Sequence, residues 1–286
     1  MVGITRRQFF ERTILTAGGL AAFEGFIREP RHPIGEEMEV RLARLPEAFD
    51  GFKIAQISDI HYGPYMNQAG VARGMRIAEK WRPDLVALTG DFTSRPLGKA
   101  YGIDGARHAE PCADELVKWK GVQMVAILGN HDHWNDPGTV TGALRDRGIP
   151  VLRNESIAVE RDGARLWIAG SDDALVGASD MAKTLERVPK NEATVLLMHE
   201  PDVADHVVGY PVDLQLSGHS HGGQVRLPGF GPIILPELAR KYHTGLNRVG
   251  RLQVYTNWGL GMITPPVRLL CPPKVTLLVL RKDTRQ

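Results

Sequence analysis

The stretch Met124-Val125-Ala126-Ile127-Leu128-Gly129-Asn130-His131-Asp132 decides the fold. Its five apolar residues read as a buried strand, and the glycine ends that strand in a sharp turn. An amide, an imidazole and a carboxylate then follow in consecutive positions. Those three chemistries suit a metal ligand, a proton donor and a residue that orients the donor.

Four other stretches repeat the form. Ser58-Asp59-Ile60-His61, Gly90-Asp91, Met198-His199-Glu200-Pro201 and Gly218-His219-Ser220-His221 each follow an apolar run, ending at Ile57, Leu88, Leu197 and Leu216. Polar motifs at strand ends can converge, because sites in α/β proteins collect at the carboxyl ends of strands. Asp59, His61, Asp91, Asn130, His199, His219 and His221 offer carboxylate, imidazole and amide donors with no thiolate. That mixture suits Mn, Fe, Zn, Co or Ni and is too nitrogen-rich for a Ca or Mg cage. Asp-x-His and His-x-His at strand ends put two ligand side chains near one point, because alternate residues share a face. These ligands are too many for one such ion with an open position. They suit two ions about 3.5–4 Å apart sharing one carboxylate, a clamp for phosphoryl oxygens and an activated water.

In this order, Asp-x-His, Gly-Asp, Gly-Asn-His-Asp, a lone His and Gly-His-x-His resemble the signature of the calcineurin-like metallophosphoesterase superfamily. The match runs from Phe52 to Gly223. Gly222-Gly223-Gln224-Val225-Arg226-Leu227-Pro228-Gly229-Phe230-Gly231-Pro232 and Cys271-Pro272-Pro273 extend it toward the exported bacterial YaeI/YkuE-like branch. The resemblance implies a four-layer α/β/β/α sandwich of two mixed sheets. It implies that Asp59, His61, Asp91 and His221 bind one divalent ion, Mn foremost, and that Asp91, Asn130, His199 and His219 bind a second. His131 would sit at the reacting phosphate as the catalytic histidine, and a metal-bridging hydroxide would attack phosphorus.

Three departures narrow the activity. The block Gly90-Asp91-Phe92-Thr93-Ser94-Arg95 lacks the second acid that orients the catalytic histidine in serine/threonine protein phosphatases. Leu128 stands where those enzymes carry an arginine, and Ser94 stands where purple acid phosphatases carry a tyrosine ligand. What is left is a phosphoesterase, expected to be a phosphodiesterase. The alternatives are a lipid nucleotide-sugar diphosphatase of the UDP-2,3-diacylglucosamine type, with Phe230, Ile233, Ile234, Leu235 and Leu238 as an apolar lip, and a non-catalytic metal-binding scaffold.

Apolar runs alternate with helices early and strand follows strand late, which suggests two packed sheets with helices outside. Helices are expected over 67–81, 113–118, 136–147, 179–187 and 201–208. Late strands are expected over 252–255, 267–270 and 275–280. Residues 37–286 form the expected catalytic domain, and residues 28–36, with Pro30, Pro33 and Gly35, read as a linker. Ahead of it, Thr5-Arg6-Arg7-Gln8-Phe9-Phe10 and a short apolar segment resemble a twin-arginine export signal. Residues 1–36 are therefore expected to be an address or anchor. The expected partners are the twin-arginine machinery and a phosphoester, and the expected place is the periplasm or envelope, where the amino terminus would give peripheral membrane contact.

Composition excludes other classes. The formal net charge is +2 over 286 residues, so no bulk field favours nucleic acid, and no basic-aromatic cluster is present. The two cysteines, Cys112 and Cys271, give no C-x-x-C and read as buried free thiols.

Overall fold

Residues 5–95, 98 and 100–284 are described by the computed structural model. The chain opens with α1 (Arg6–Phe23), followed by β1 (Ile34–Leu42), β2 (Lys53–Ile57), α2 (Gln68–Lys80), β3 (Leu85–Thr89), α3 (Ile103–Ala106), α4 (Ala109–Leu116), β4 (Gln123–Ile127), α5 (Asn130–Asn135) and α6 (Pro137–Arg145). The second half carries β5 (Glu155–Arg161), β6 (Ala164–Gly170), α7 (Met181–Thr184), β7 (Thr194–Leu197), α8 (Ala204–Val207), β8 (Leu214–Ser217), β9 (Arg226–Leu227), β10 (Gly231–Pro232), β11 (Gly245–Val249), β12 (Leu252–Thr256) and β13 (Lys274–Lys282).

Two mixed sheets result, in the orders β1-β13-β2-β3-β4 and β11-β12-β8-β7-β6-β5. Strands β2, β3 and β4 run parallel to one another, as do β6, β7, β8 and β12. Central strands buried on both faces explain the unbroken apolar runs in the sequence. Successive side chains divide between cores. Ile57, Leu88 and Ala126 pack outward under α2, α4 and α6, whereas Ile54, Leu85 and Ile127 meet Ile168, Leu197 and Leu216 of the facing sheet. Beyond the second sheet, Leu196, Met198 and Val254 pack on Val203, Ala204 and Val207. These three apolar layers make the four-layer α/β/β/α sandwich that the sequence suggests.

Some local expectations change. The apolar run Val267 to Leu270 is not a strand; only Leu269 makes a bridge, to Val225. The reason is Arg268, which is fully buried and must find carbonyl acceptors. Its guanidinium donates to the carbonyls of Gly261 (2.6 Å), Trp258 (2.8 Å) and Cys271 (3.0 Å), so the chain wraps around it. The helix expected over 179–187 is limited to Met181–Thr184, capped by Asp180, whose side chain accepts from the Lys183 N–H.

The stretch 28–36 is attached rather than free. Ile34 already pairs with Lys274 in the first sheet, and the buried Glu29 carboxylate accepts the N–H groups of Leu270 and Cys271. Among the described residues, no helix is long and apolar enough to cross a membrane. Both cysteines are free and buried.

Candidate metal centre

All five motifs lie at carboxyl ends of strands in the two facing sheets. Motif Asp59/His61 follows β2, Asp91 follows β3, Asn130/His131 follows β4, His199 follows β7 and His219/His221 follows β8. Gln56 ties the sheets together beneath the site, its Nε2 donating to Thr89 Oγ1 and to the Ser217 carbonyl, both at 2.9 Å.

The pairs Asp59/His61 and His219/His221 converge by a different device from strand alternation. Both pairs lie beyond the strand ends, and Asp59, His61, Asp91, His219 and His221 all have φ between +48° and +64°. Asp and His adopt this left-handed region more readily than most residues, and strain of this kind gathers at functional sites. Close approach adds a further requirement at one glycine. A Cβ on Gly129 would strike Asp91 Oδ1 and lie 2.8 Å from both Asp91 N and His199 Cε1.

One ligand atom from each of Asp59, His61, Asp91 and His221 lies within 4.8 Å of every other, and the same is true of Asp91, His199 and His219. Asp91 belongs to both groups. Its Oδ2 lies 3.4 Å from His61 Nε2 and 3.3 Å from His199 Nε2, while Oδ1 accepts the backbone N–H of His131 at 2.8 Å. Asp59 Oδ1 lies 3.4 Å from His221 Nε2 and accepts the backbone N–H of His219 at 3.0 Å.

The outer nitrogens of two histidines are pinned by backbone carbonyls. His199 Nδ1 donates to Thr89 O (2.7 Å) and His219 Nε2 to Glu237 O (2.9 Å), the arrangement that fixes the tautomer of a metal-binding imidazole. Asn130 Oδ1 and His199 Nε2 are buried without a hydrogen-bond partner. Orphaned donor atoms inside a cluster of carboxylates and imidazoles fit divalent cations.

Electrostatics agree. Burial pushes Asp91 up to about 7, although His199 draws it down. Burial lowers His61 and His221 well below the usual histidine value, which leaves neutral imidazoles able to bind a cation. Burial also opposes charge on His199, but Asp91 and Asp59 outweigh it and raise the ring.

The centre opens into a cavity of about 820 Å³ lined by Asp91, Asn130, His131, His219 and His221 on one side and by Trp134, Leu175, Val225, Ile233, Ile234 and Ile263 on the other. The sequence profile of the calcineurin-like phosphoesterase family matches residues 52–223, the segment that carries all five motifs. This chain is a calcineurin-like metallophosphoesterase. It belongs with the hydrolases of that family. A metallophosphoesterase of Bacillus subtilis, YkuE, is 35% identical over 291 residues, covering 98% of this chain and 99% of the relative. The phosphodiesterase YaeI of Escherichia coli is 28% identical over 282 residues, covering 97% of this chain and 99% of the relative. Among solved structures, the NAD nucleotidase of Haemophilus influenzae superposes with a TM-score of 0.47 at 16% identity, covering 73% of this chain and half of that structure.

Other polar residues of this metallophosphoesterase brace the surroundings of the centre. His133 Nε2 donates to Asp172 Oδ1 at 2.6 Å, and Arg153 Nε donates to Asp172 Oδ2 at 2.8 Å. Asp172 therefore serves as a bracket between the two halves. Asp132, the expected orienting carboxylate, is directed elsewhere. It accepts the N–H groups of Phe92 (3.2 Å), Thr93 (3.0 Å) and Gly129 (3.1 Å) and the Thr93 hydroxyl (3.0 Å), and so locks the second motif to the third. Arg226 and Lys241 are also engaged: Arg226 packs over the Trp258 ring at 5.1 Å, and Lys241 donates to Asp205 at 2.8 Å.

Sequence reasoning missed Tyr101, Trp134 and the segment 263–267 as parts of the cavity wall. Trp134 stood next to a motif and was findable. The other two have no local pattern.

Proposed function

We propose that this metallophosphoesterase is a dinuclear, metal-dependent phosphodiesterase. Asp59, His61, Asp91 and His221 would hold one divalent ion, and Asp91, Asn130, His199 and His219 the other, with Mn the first candidate. Bound there, the ions would supply Lewis-acid stabilisation of phosphoryl oxygens and acidify a water for in-line attack. The observation that carries the reading is Asp91, buried between His61 and His199 at 3.4 and 3.3 Å and common to both donor groups. The diesterase assignment leans on the name of the Escherichia coli relative and on the missing second acid and arginine.

His131 lines the cavity beside these donors. Burial first, then the fields of His199 and His219, push its ring down to about 3. Neutral at neutral pH, it acts as a hydrogen-bond donor to charge growing on the phosphate or on the leaving oxygen. The N–H of the His131 backbone holds Asp91 in place at the same time.

A second reading rests on the cavity wall. Of the expected apolar lip, Ile233 (56% exposed) and Ile234 (77% exposed) line the cavity, which suits a phosphoester or diphosphate with a lipid tail, whereas Phe230 and Leu235 are not in its wall and Leu238 packs against the core beyond the second sheet. The start at Thr5-Arg6-Arg7, if it is read by the twin-arginine machinery, would place the enzyme at the envelope beside such lipids.

The test is a panel of a phosphomonoester, an aryl phosphodiester and a UDP-lipid diphosphate with metal-analysed protein. Turnover of the diester that depends on added metal supports the first reading, and preference for the UDP-lipid supports the second. No metal-stimulated hydrolysis of any of them leaves a scaffold on this fold. Export is tested separately, by replacing Arg6 and Arg7 with lysine; unaltered export would remove that part of the proposal.

A further inference from the structure

His131 has lost its usual companion. Its neighbour Asp132 is committed to backbone N–H groups, and Ser94 stands where related phosphatases carry an acid. A histidine that donates from one ring nitrogen needs an acceptor or donor on the other to fix its tautomer. The His61 and Trp134 rings pack on His131 at 4.5 and 5.0 Å, and the hydrogen-bonding group at its Nδ1 is the Tyr101 hydroxyl, 3.1 Å away.

Tyr101 is itself held on several sides. Its ring meets Trp134 edge-on at 5.1 Å and His131 at 5.3 Å, and the Arg95 guanidinium lies 5.7 Å from its centroid. The next residue, Gly102, donates its N–H to Asn135 Oδ1 at 3.3 Å, and Asn135 Nδ2 donates back to Thr93 Oγ1 at 2.9 Å. The loop before α3 is thereby tied to the end of α5, the helix on which His131 sits.

We propose that Tyr101 is the positioning residue of His131: its O–H donates to Nδ1, so that the proton rests on Nε2 and the ring is aimed at the reacting phosphate. This rests on the phosphoesterase reading of the site. The phenol has one proton to give, and donating it to Nδ1 across the 3.1 Å contact is the direction that leaves the ring proton on Nε2. A phenol is a weaker orienting group than a carboxylate, and it leaves the ring neutral where an acid would favour an imidazolium.

The test is a double-mutant cycle on the metal-loaded full chain with an aryl phosphodiester, combining Tyr101→Phe and His131→Ala. Tyr101→Phe is expected to lower kcat about 10- to 100-fold with KM changed by less than about twofold. In the His131→Ala background it is expected to change nothing further. An equal loss in both backgrounds, or an effect on KM alone, would overturn the proposal. The second measurement is ¹⁵N NMR of histidine side chains in zinc-loaded protein. His131 is expected as the single Nε2–H tautomer, and as a mixture in Tyr101→Phe. An unchanged tautomer in the variant overturns the proposal even if kcat falls, and so does an unchanged kcat. If the parent protein hydrolyses no phosphoester, the functional reading fails on its own and the NMR result still decides the role of Tyr101.

Discussion

His61 Nε2 and His221 Nε2 face each other at 3.0 Å, with both rings buried and both Nδ1 atoms without a partner. Two neutral imidazoles at this distance share at most one hydrogen bond, and Asp91 Oδ2 and Asp59 Oδ1 stand 3.4 Å from one ring each. A cation is the natural way to satisfy all four groups together. Metal should therefore stabilise the folded chain. At a hundredfold excess over its dissociation constant a divalent ion adds about 2.7 kcal/mol. For a chain of this size that raises the melting temperature by about 5–10 °C. Thermal melts of chelator-treated protein with and without Mn or Zn check this. The shift should be largely lost in His61→Ala, and a melt indifferent to metal would remove the dinuclear proposal.

Asp91→Asn separates charge from shape. The side-chain oxygen of asparagine can still accept the His131 N–H, which Asp91 Oδ1 now receives at 2.8 Å. What disappears is the shared negative charge between the two donor groups. Turnover should fall about 10³-fold or more, equivalent to about 4 kcal/mol of transition-state stabilisation. The metal-free variant should stay within about 1 kcal/mol of the metal-free parent, because the buried carboxylate lost is one that burial already pushes up to about 7. Metal content, activity and denaturant melts are the readouts. A fully active variant contradicts the assignment of Asp91.

The motifs were legible because each is a run of adjacent residues at the end of an apolar run, and strand termination is a local event. Their convergence was anticipated for the wrong reason. Alternation along a strand was expected to pair Asp59 with His61, but the chain instead enters left-handed turns at both, which single-residue patterns do not announce. The insertion of β13 between β1 and β2 was not legible, since it joins the last strand to the first across the whole chain. Tyr101 was invisible for the same reason. It lies outside the five motifs and meets His131 only through the folding of the loop before α3. Val267 to Leu270 was misread as a strand because apolar composition does not reveal that Arg268 in its middle is buried and needs carbonyls.

Metal affinity should depend on pH with a defined sign. Without metal, Asp91 is raised to about 7, so it carries a proton over much of the range below that value. A ligand must be deprotonated, so binding expels the proton and acid competes with metal. His199 is raised by ionised Asp91 and Asp59 against the effect of burial, so the Asp91–His199 pair shares a proton that metal must displace. His61 and His221, lowered by burial, have none to lose. Affinity should fall as pH drops from 7 to 6, by about tenfold for each proton released. Calorimetric titration in two buffers of different ionisation enthalpy measures the protons directly. Equal affinity at both pH values, with no proton release, would contradict this assignment.

Asp132→Ala tests whether the third acidic or polar residue of the central motif is structural. The carboxylate takes hydrogen bonds from Phe92, Thr93 and Gly129 while fully buried, and burial raises it against the pull of those same donors. Removing it leaves the N–H groups of two motifs unsatisfied inside the protein and frees the loop that holds Asp91 against α5. The expected loss of stability is about 3 kcal/mol, from the desolvated donors alone. Asp132→Asn retains one acceptor oxygen and should lose roughly half as much. If Asp132 instead oriented His131, the alanine variant would melt normally and fail only in kcat, and the Tyr101→Phe variant would be fully active. Denaturant melts of both Asp132 variants, set beside kcat of all three proteins at saturating metal, distinguish the two arrangements.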